Sequence, residues 1–154
     1  MRLSHHELIE VIKKTPLVSI DLVVKNGLNE ILLGLRNNEP ARNFWFVPGG
    51  RILKNELIPD AFRRIIKEEL DTLLSFEDAH FLGVFEHIYR ENFANEPGFG
   101  THYVVLAYEI IMSGPLKELP DDQHHQYKWF KVESLLKNDK VHPNTKAYFT
   151  QSSS

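Results

Sequence analysis

The stretch 45-WFVPGGRILKNELIPDAFRRIIKEE-69 decides the fold of this chain, because it joins a glycine turn to a helix bearing paired carboxylates. Gly49 and Gly50 let the backbone turn sharply with its amides and carbonyls exposed, and Pro59 pre-sets the backbone angle of a first helical turn. The pattern predicts a helix from about Pro59 to Leu70. At 100° per residue, Ala61, Phe62, Ile65, Ile66 and Leu73 form one apolar face, and Glu69 falls between Ile65 and Phe62 on that same face. Burying an unpaired carboxylate is costly, so Glu69 needs a cation, and the residues allow either a metal or an arginine.

Upstream, Ser4 followed by Glu7 fits a capping box, and Leu8, Val11 and Ile12 give the ensuing short helix an apolar stripe that ends before Pro16. Leu17 to Lys25 is rich in branched apolar residues and reads as a strand, Asn26-Gly27 as a turn and Glu30 to Leu35 as the returning strand. Asp21 lies inside the first strand, either exposed on an edge or aimed at a site. Arg36 closes the second strand. An arginine's planar fork suits a phosphate, but a solvated surface residue is the simpler reading.

Downstream, Phe81, Phe85, His87 and Tyr89 share one face of a predicted strand, with Leu82, Val84 and Ile88 on the other. A loop rich in Asn, Pro and Gly spans Asn92 to Gly100, and His102 to Met112 resumes as a strand, paired antiparallel to the previous one. Ser113 to Gln126 reads as a second loop, carrying the polar run from Asp121 to Gln126. Tyr127 to Phe130 is a short strand, and Glu133 to Lys137 and Asn144 to Phe149 are helices, the second capped by Asn144. The order of elements describes an α/β (α+β) fold, a mixed sheet sandwiched between helices.

The 154 residues suffice for one domain, residues 1–154, burying roughly 70% of the unfolded chain's surface. A formal net charge of -3 gives no general attraction to nucleic acid or anionic membrane, so the expected partner is a small molecule. With no cysteine there is no disulfide, thiolate nucleophile or thiolate metal site, which fits a reducing, cytoplasmic setting. No segment reads as a signal peptide, and no run reaches the roughly 20 apolar residues of a membrane span.

The motif resembles that of the Nudix hydrolases, G-x5-E-x7-R-E-U-x-E-E-x-G-U with U apolar. Gly50, Glu56, Arg64, Ile66, Glu68 and Glu69 match it, while Ile65, Asp71 and Thr72 depart from it. In the family the acidic helix binds divalent cations that bridge to a diphosphate, and the glycine turn adds a carbonyl. Ile65 stands where the first helical glutamate would be. Losing that ligand implies one metal rather than several, with magnesium favoured by hard oxygen donors.

The same departure is found in the bacterial GDP-mannose mannosyl hydrolases, which the chain resembles across nearly all of residues 3–150. The shared stretches are TPLVS with Asp21, LLGLR ending at Arg36, WFVPGGR ending at Arg51, THYVVL with Tyr103, DDQH with His124, and VHPNTKAYF. The resemblance implies a homodimer that hydrolyses GDP-mannose, or GDP-glucose, to GDP and free sugar with inversion at the anomeric carbon. By the matching motifs, one Mg2+ per subunit, replaceable by Mn2+, is held by the Gly49 carbonyl, Glu69 and Gln123. Arg36, Arg51 and Tyr103 meet the diphosphate, His124 is the general base, and Asp21 and His87 lie near the mannosyl group. His125 competes with His124 as base, and Glu68 either binds a second metal or pairs with Arg64. Glu56 supports Arg64. Two alternatives remain: a conventional pyrophosphohydrolase that cleaves a phosphorus–oxygen bond, and a non-catalytic nucleotide-sugar binder.

Overall fold

The computed structural model describes residues 2–113 and 124–150, the side chains of His124 and His125 excepted. Helix α1 spans His5–Lys14. Ser4 caps it as the sequence predicts: the Ser4 hydroxyl accepts from the Glu7 amide, and the Glu7 carboxylate accepts from the Ser4 amide. Strands β1 (Leu17–Lys25) and β2 (Ile31–Arg36) follow, joined through Asn26, whose side-chain oxygen accepts from the amides of Leu28 and Glu30. Short strands β3 (Trp45–Phe46) and β4 (Gly49–Arg51) lead into α2 (Ile58–Leu70). Strands β5 (His80–Tyr89), β6 (Thr101–Ile111) and β7 (His124–Phe130) come next, then α3 (Val132–Lys137) and α4 (Pro143–Thr150).

Among the described residues these strands make one mixed sheet in the order β3-β2-β1-β6-β5, with β4 also paired to β1 and β7 to β2. β1 is the organising strand. It runs parallel to β6 from Leu17 to Lys25, and on its other side it holds β4 antiparallel at Ser19–Asp21 and touches β2 only near Lys25. Asp21 is therefore interior to the sheet and not on an edge.

Alternation along β1 sends Ile20, Leu22 and Val24 toward α2, where they pack with Phe62, Ile65 and Ile66. Val23 on the opposite face packs with Leu33, Val47, Phe130 and Leu135, against which Tyr148 and Phe149 of α4 also lie. By the same alternation Ser19 and Asp21 share the α4 face. The helices thus sandwich the sheet, as expected from the order of elements.

Four local expectations are corrected. Leu73 is 82% exposed, because Asp71 takes a left-handed conformation (φ 48°) and ends α2 before the helical period can reach it. The strict alternation along β5 breaks between Phe81 and Gly83, where a bulge with Gly83 at φ 138° shifts the register. As a result Phe81 meets Tyr108 on the α2 side, while Leu82 joins the cluster on the α4 side. Finally, α4 is capped by the His142 side chain, whose Nδ1 accepts from the Asn144 amide, and not by Asn144. β7 also begins earlier than the Tyr127 read from sequence, so His124 belongs to a strand, opposite Arg36, and not to the preceding loop.

Candidate active site

The close approach of β4 to β1 and α2 explains both glycines. A Cβ on Gly49 would lie 2.6 Å from the Asp21 Oδ1 and from the Ile20 carbonyl oxygen, and one on Gly50 would lie 3.1 Å from Ile65 Cγ1. At Gly49 no Cβ fits without a backbone shift, and at Gly50 one would press on the Ile65 side chain. The turn is then tied to α2 from the other side. Arg64 donates to both oxygens of Glu56, at 2.7 and 2.9 Å, and to the Arg51 carbonyl at 2.7 Å. Glu56 also accepts from the Leu53 amide at 3.0 Å. These bonds hold the Glu56 carboxyl well below its usual range, at about 2.

Beside this clip lies a cavity of about 160 Å³ whose lining includes Asp21, Arg36, Gly49, Arg51, Glu69, His87 and Tyr103. Residues on six different elements meet here. Glu69 is buried at the foot of the cavity, with Oε1 3.4 Å from the Gly49 amide nitrogen. Asp21 enters from β1, and its carboxyl is raised to about 6 by burial, against the lowering effects of a hydrogen bond from Tyr148 and of the Arg36 charge. His87, buried on β5, is pushed down to about 4 by burial and by His142, so it is neutral at pH 7. Tyr103, opposite His87 in the β5–β6 register, is raised by burial.

A second cavity of about 180 Å³ adjoins the first, and the two share Arg36, Pro40, Arg51 and Tyr103 as lining. Its remaining wall is more apolar, with Leu8 and Ile12 of α1, Leu17 and Phe93. The apolar stripe of α1 thus packs on its own chain at the rim of this cavity. Neither Arg36 nor Arg51 has a carboxylate within ion-pair distance among the described residues, and the buried Arg36 Nε has no acceptor there. Burial lowers the Arg51 proton affinity, which marks its charge as partly desolvated.

Not every acid of the helix joins the site in the same way. Glu68 pairs with Arg64 at 3.1 Å and with Arg2 at 2.5 Å, so both its oxygens meet guanidinium groups at the cavity rim. Ile65 is fully buried in the core beneath Gly50. Gln123 lies outside the described residues, and of His124 only the backbone position at the start of β7 is described.

The oxygen donors present are of the kind that suits a hard divalent cation. No three His, Asp or Glu side chains converge as a self-contained metal cage among the described residues. The donors on hand are one buried carboxylate and a glycine turn into which no side chain fits, all oxygen chemistry suited to magnesium or manganese. Several lining residues escaped the sequence reading, Arg2, Ser19, Pro40 and Tyr89 among them. Tyr89 shares the parity of His87 and could have been found by that signal; Ser19 shares that of Asp21.

The NUDIX domain family model matches residues 15–151. A low-salt glycan biosynthesis protein, Agl8, of Haloferax volcanii is 40% identical over 131 residues, covering 84% of this chain and 80% of that protein. A MutT NUDIX hydrolase of Burkholderia pseudomallei superposes with a TM-score of 0.72 at 28% identity, covering 90% of this chain and 98% of its own. A bifunctional NMN adenylyltransferase/ADP ribose pyrophosphatase of Francisella tularensis, solved with AMP and a Mn ion, superposes at 0.65 and 21% identity, over 93% of this chain and 42% of its own. The last likeness speaks for the fold alone. The family match spans β1 to α4, and the glycine turn, the Arg64–Glu56 clip and Glu69 fall at the signature positions within it: this chain belongs to the Nudix hydrolases.

Proposed function

We propose that this Nudix hydrolase hydrolyses a GDP-hexose, GDP-mannose or GDP-glucose, to GDP and the free sugar. The observation that carries the reading is the wall shared by the two cavities. Two arginines without carboxylate partners among the described residues, Arg36 and Arg51, stand between a polar compartment and a more apolar one. A diphosphate fits between such cations, a sugar suits the compartment with Asp21 and His87, and a flat nucleobase suits the one with Phe93, Leu8 and Ile12. The glycan-biosynthesis name of the Haloferax relative is in keeping with a sugar nucleotide.

In this reading the Gly49 carbonyl, Glu69 and Gln123 would hold one Mg2+, for which Mn2+ could substitute, and the ion would supply charge neutralisation at the diphosphate. Arg36, Arg51 and Tyr103 bind the diphosphate oxygens, and their attraction grows as GDP departs with added negative charge, so they favour the transition state over the ground state. Asp21 and His87 accept from sugar hydroxyls and orient the ring. His124 takes a proton from water, a task suited to an imidazole. Attack on the face opposite GDP inverts the anomeric carbon.

The test is turnover of GDP-mannose with magnesium in water enriched in heavy oxygen. Label in the sugar supports attack at carbon. Label in a phosphate product would instead establish a conventional pyrophosphohydrolase, and no turnover a binding module.

Residues 1–154 serve in this reading as one domain, and the active form is a homodimer. Val18, Val84 and Ile88 support the latter. The strand registers put them on one sheet face, and they are 44%, 59% and 70% exposed. Sedimentation of the parent against a Val84→Lys/Ile88→Lys variant tests the dimer.

A further inference from the structure

Tyr148 lies on α4, behind the cavity and not in its lining, yet its hydroxyl reaches two lining residues at once. It donates to Asp21 Oδ2 at 2.5 Å and stands 3.4 Å from His87 Nε2. The ring is held by an edge contact with Phe85 at 4.7 Å and by the His87 ring at 6.0 Å, and Gly49 and Ala107 flank Asp21 in the sheet. A phenol carries a single proton. Spent on Asp21, it leaves only lone pairs for His87, so the nitrogen facing it must be the one that bears hydrogen.

We propose that Tyr148 is a positioning residue that sets the hydrogen-bond polarity of the sugar compartment: it orients the Asp21 carboxylate and fixes His87 in its Nε2–H form. His87 Nδ1 is thereby left as an acceptor. Together with the free Asp21 oxygen it forms an acceptor pair that recognises adjacent hydroxyl donors, the chemistry of a hexose and not of a phosphate. Burial and the Asp21 charge push the Tyr148 phenol far above its ordinary range, which keeps the proton on it. The neutrality of His87 supplies the other condition, since an imidazolium would carry hydrogen on both nitrogens. The assignment to a sugar rests on the function proposed above; the assignment of the tautomer does not.

The test pairs nitrogen NMR with kinetics. In the 15N-labelled protein the His87 ring signals, identified by their loss in His87→Gln, are expected to show a protonated Nε2 and a bare Nδ1 at neutral pH. Tyr148→Phe keeps the ring packing and removes only the hydroxyl. It should let the Nδ1–H form appear and lower kcat/KM for GDP-mannose by about 10- to 100-fold, the scale of one hydrogen bond to a charged group. Inhibition by GDP, which has no sugar, should change less than about twofold in the same variant. Adding Asp21→Asn to Tyr148→Phe should cost less than the same change in the parent, because the two groups act as one unit. A parent His87 protonated on Nδ1, or a Tyr148→Phe protein with unchanged tautomer and unchanged kcat/KM, overturns the proposal. If the parent turns over no GDP-hexose, the proposed function falls, and the nitrogen spectra alone decide the role of Tyr148.

Discussion

Replacing Glu56 by Gln isolates the clip that holds the glycine turn to its helix. The carboxylate accepts three bonds, two from Arg64 at 2.7 and 2.9 Å and one from the Leu53 amide at 3.0 Å, and the two side chains are only 21% and 15% exposed. An amide of the same shape keeps one oxygen and turns an N–H2 toward an arginine N–H, so a donor faces a donor. Depression of Glu56 from an ordinary 4.5 to about 2 corresponds to about 3 kcal/mol in favour of the charged form. Solvent screening at a partly exposed pair brings the expected loss to about 2 kcal/mol, or about 4–8 °C in Tm for a chain of this size. Because the folded value lies below the unfolded one, this stability is complete above about pH 5 and is lost as the pH falls from about 4.5 through about 2. Urea denaturation of parent and Glu56→Gln should therefore show the full gap at pH 7 and about half of it or less at pH 3. A gap below about 0.5 kcal/mol at pH 7, or one that does not narrow in acid, refutes the clip as a charged, load-carrying contact.

Three further outcomes are expected. Glu69→Gln should raise the magnesium concentration needed for half-maximal turnover by at least about tenfold, the lower end for losing a ligand contact, and an unchanged requirement removes Glu69 from the ligand set. His124→Gln should lower kcat by about 10²- to 10⁴-fold while magnesium binding, followed by calorimetry, stays intact. Gly49→Ala places a Cβ 2.6 Å from two oxygens, one of them backbone, and should cost about 1–3 kcal/mol in denaturation together with most of the activity.

How far the sequence reached depends on how local each signal was. The capping box at Ser4 and the bounds of β1 are carried by residues within a few positions of one another and stand as read, and α2 starts at Ile58, one residue before the Pro59 read from sequence. The errors came where one residue overrules a period. Asp71 ended the helix below Leu73, and Gly83 reset the parity of β5, although a glycine inside a strand is itself a bulge signal. At the site, Asp21, Arg36, Gly49, Arg51, Glu69, His87 and Tyr103 gather around one cavity, but no spacing in the chain brings residue 21 beside residue 87. The β1–β6 and β5–β6 pairings bring the two strands into one sheet, and the Tyr148 hydroxyl bridges the two side chains. Tyr148 was illegible for the same reason: its contact with Asp21 spans 127 positions, and a tyrosine on a helix of weak amphipathicity announces nothing.

Ile65 shows why the loss of a signature glutamate is a design of the whole helix and not a gap in it. Its side chain fills the space directly beneath Gly50, where a Cβ on the glycine would meet it at 3.1 Å, and it is 1% exposed. A glutamate there would have to bury its charge in a core of Ile20, Leu22, Phe62 and Ile66, at a cost that only an immediate cation could offset. The next acid, Glu68, has both oxygens on guanidinium groups at the rim. Glu69, buried and accepting from the Gly49 amide, is therefore the helical carboxylate to which the proposed function gives the cation. Arg36 and Arg51 bring the remaining positive charge from β2 and β4, and in the proposed function that charge would favour a departing diphosphate, which is the physical reason for proposing that the broken bond lies at carbon.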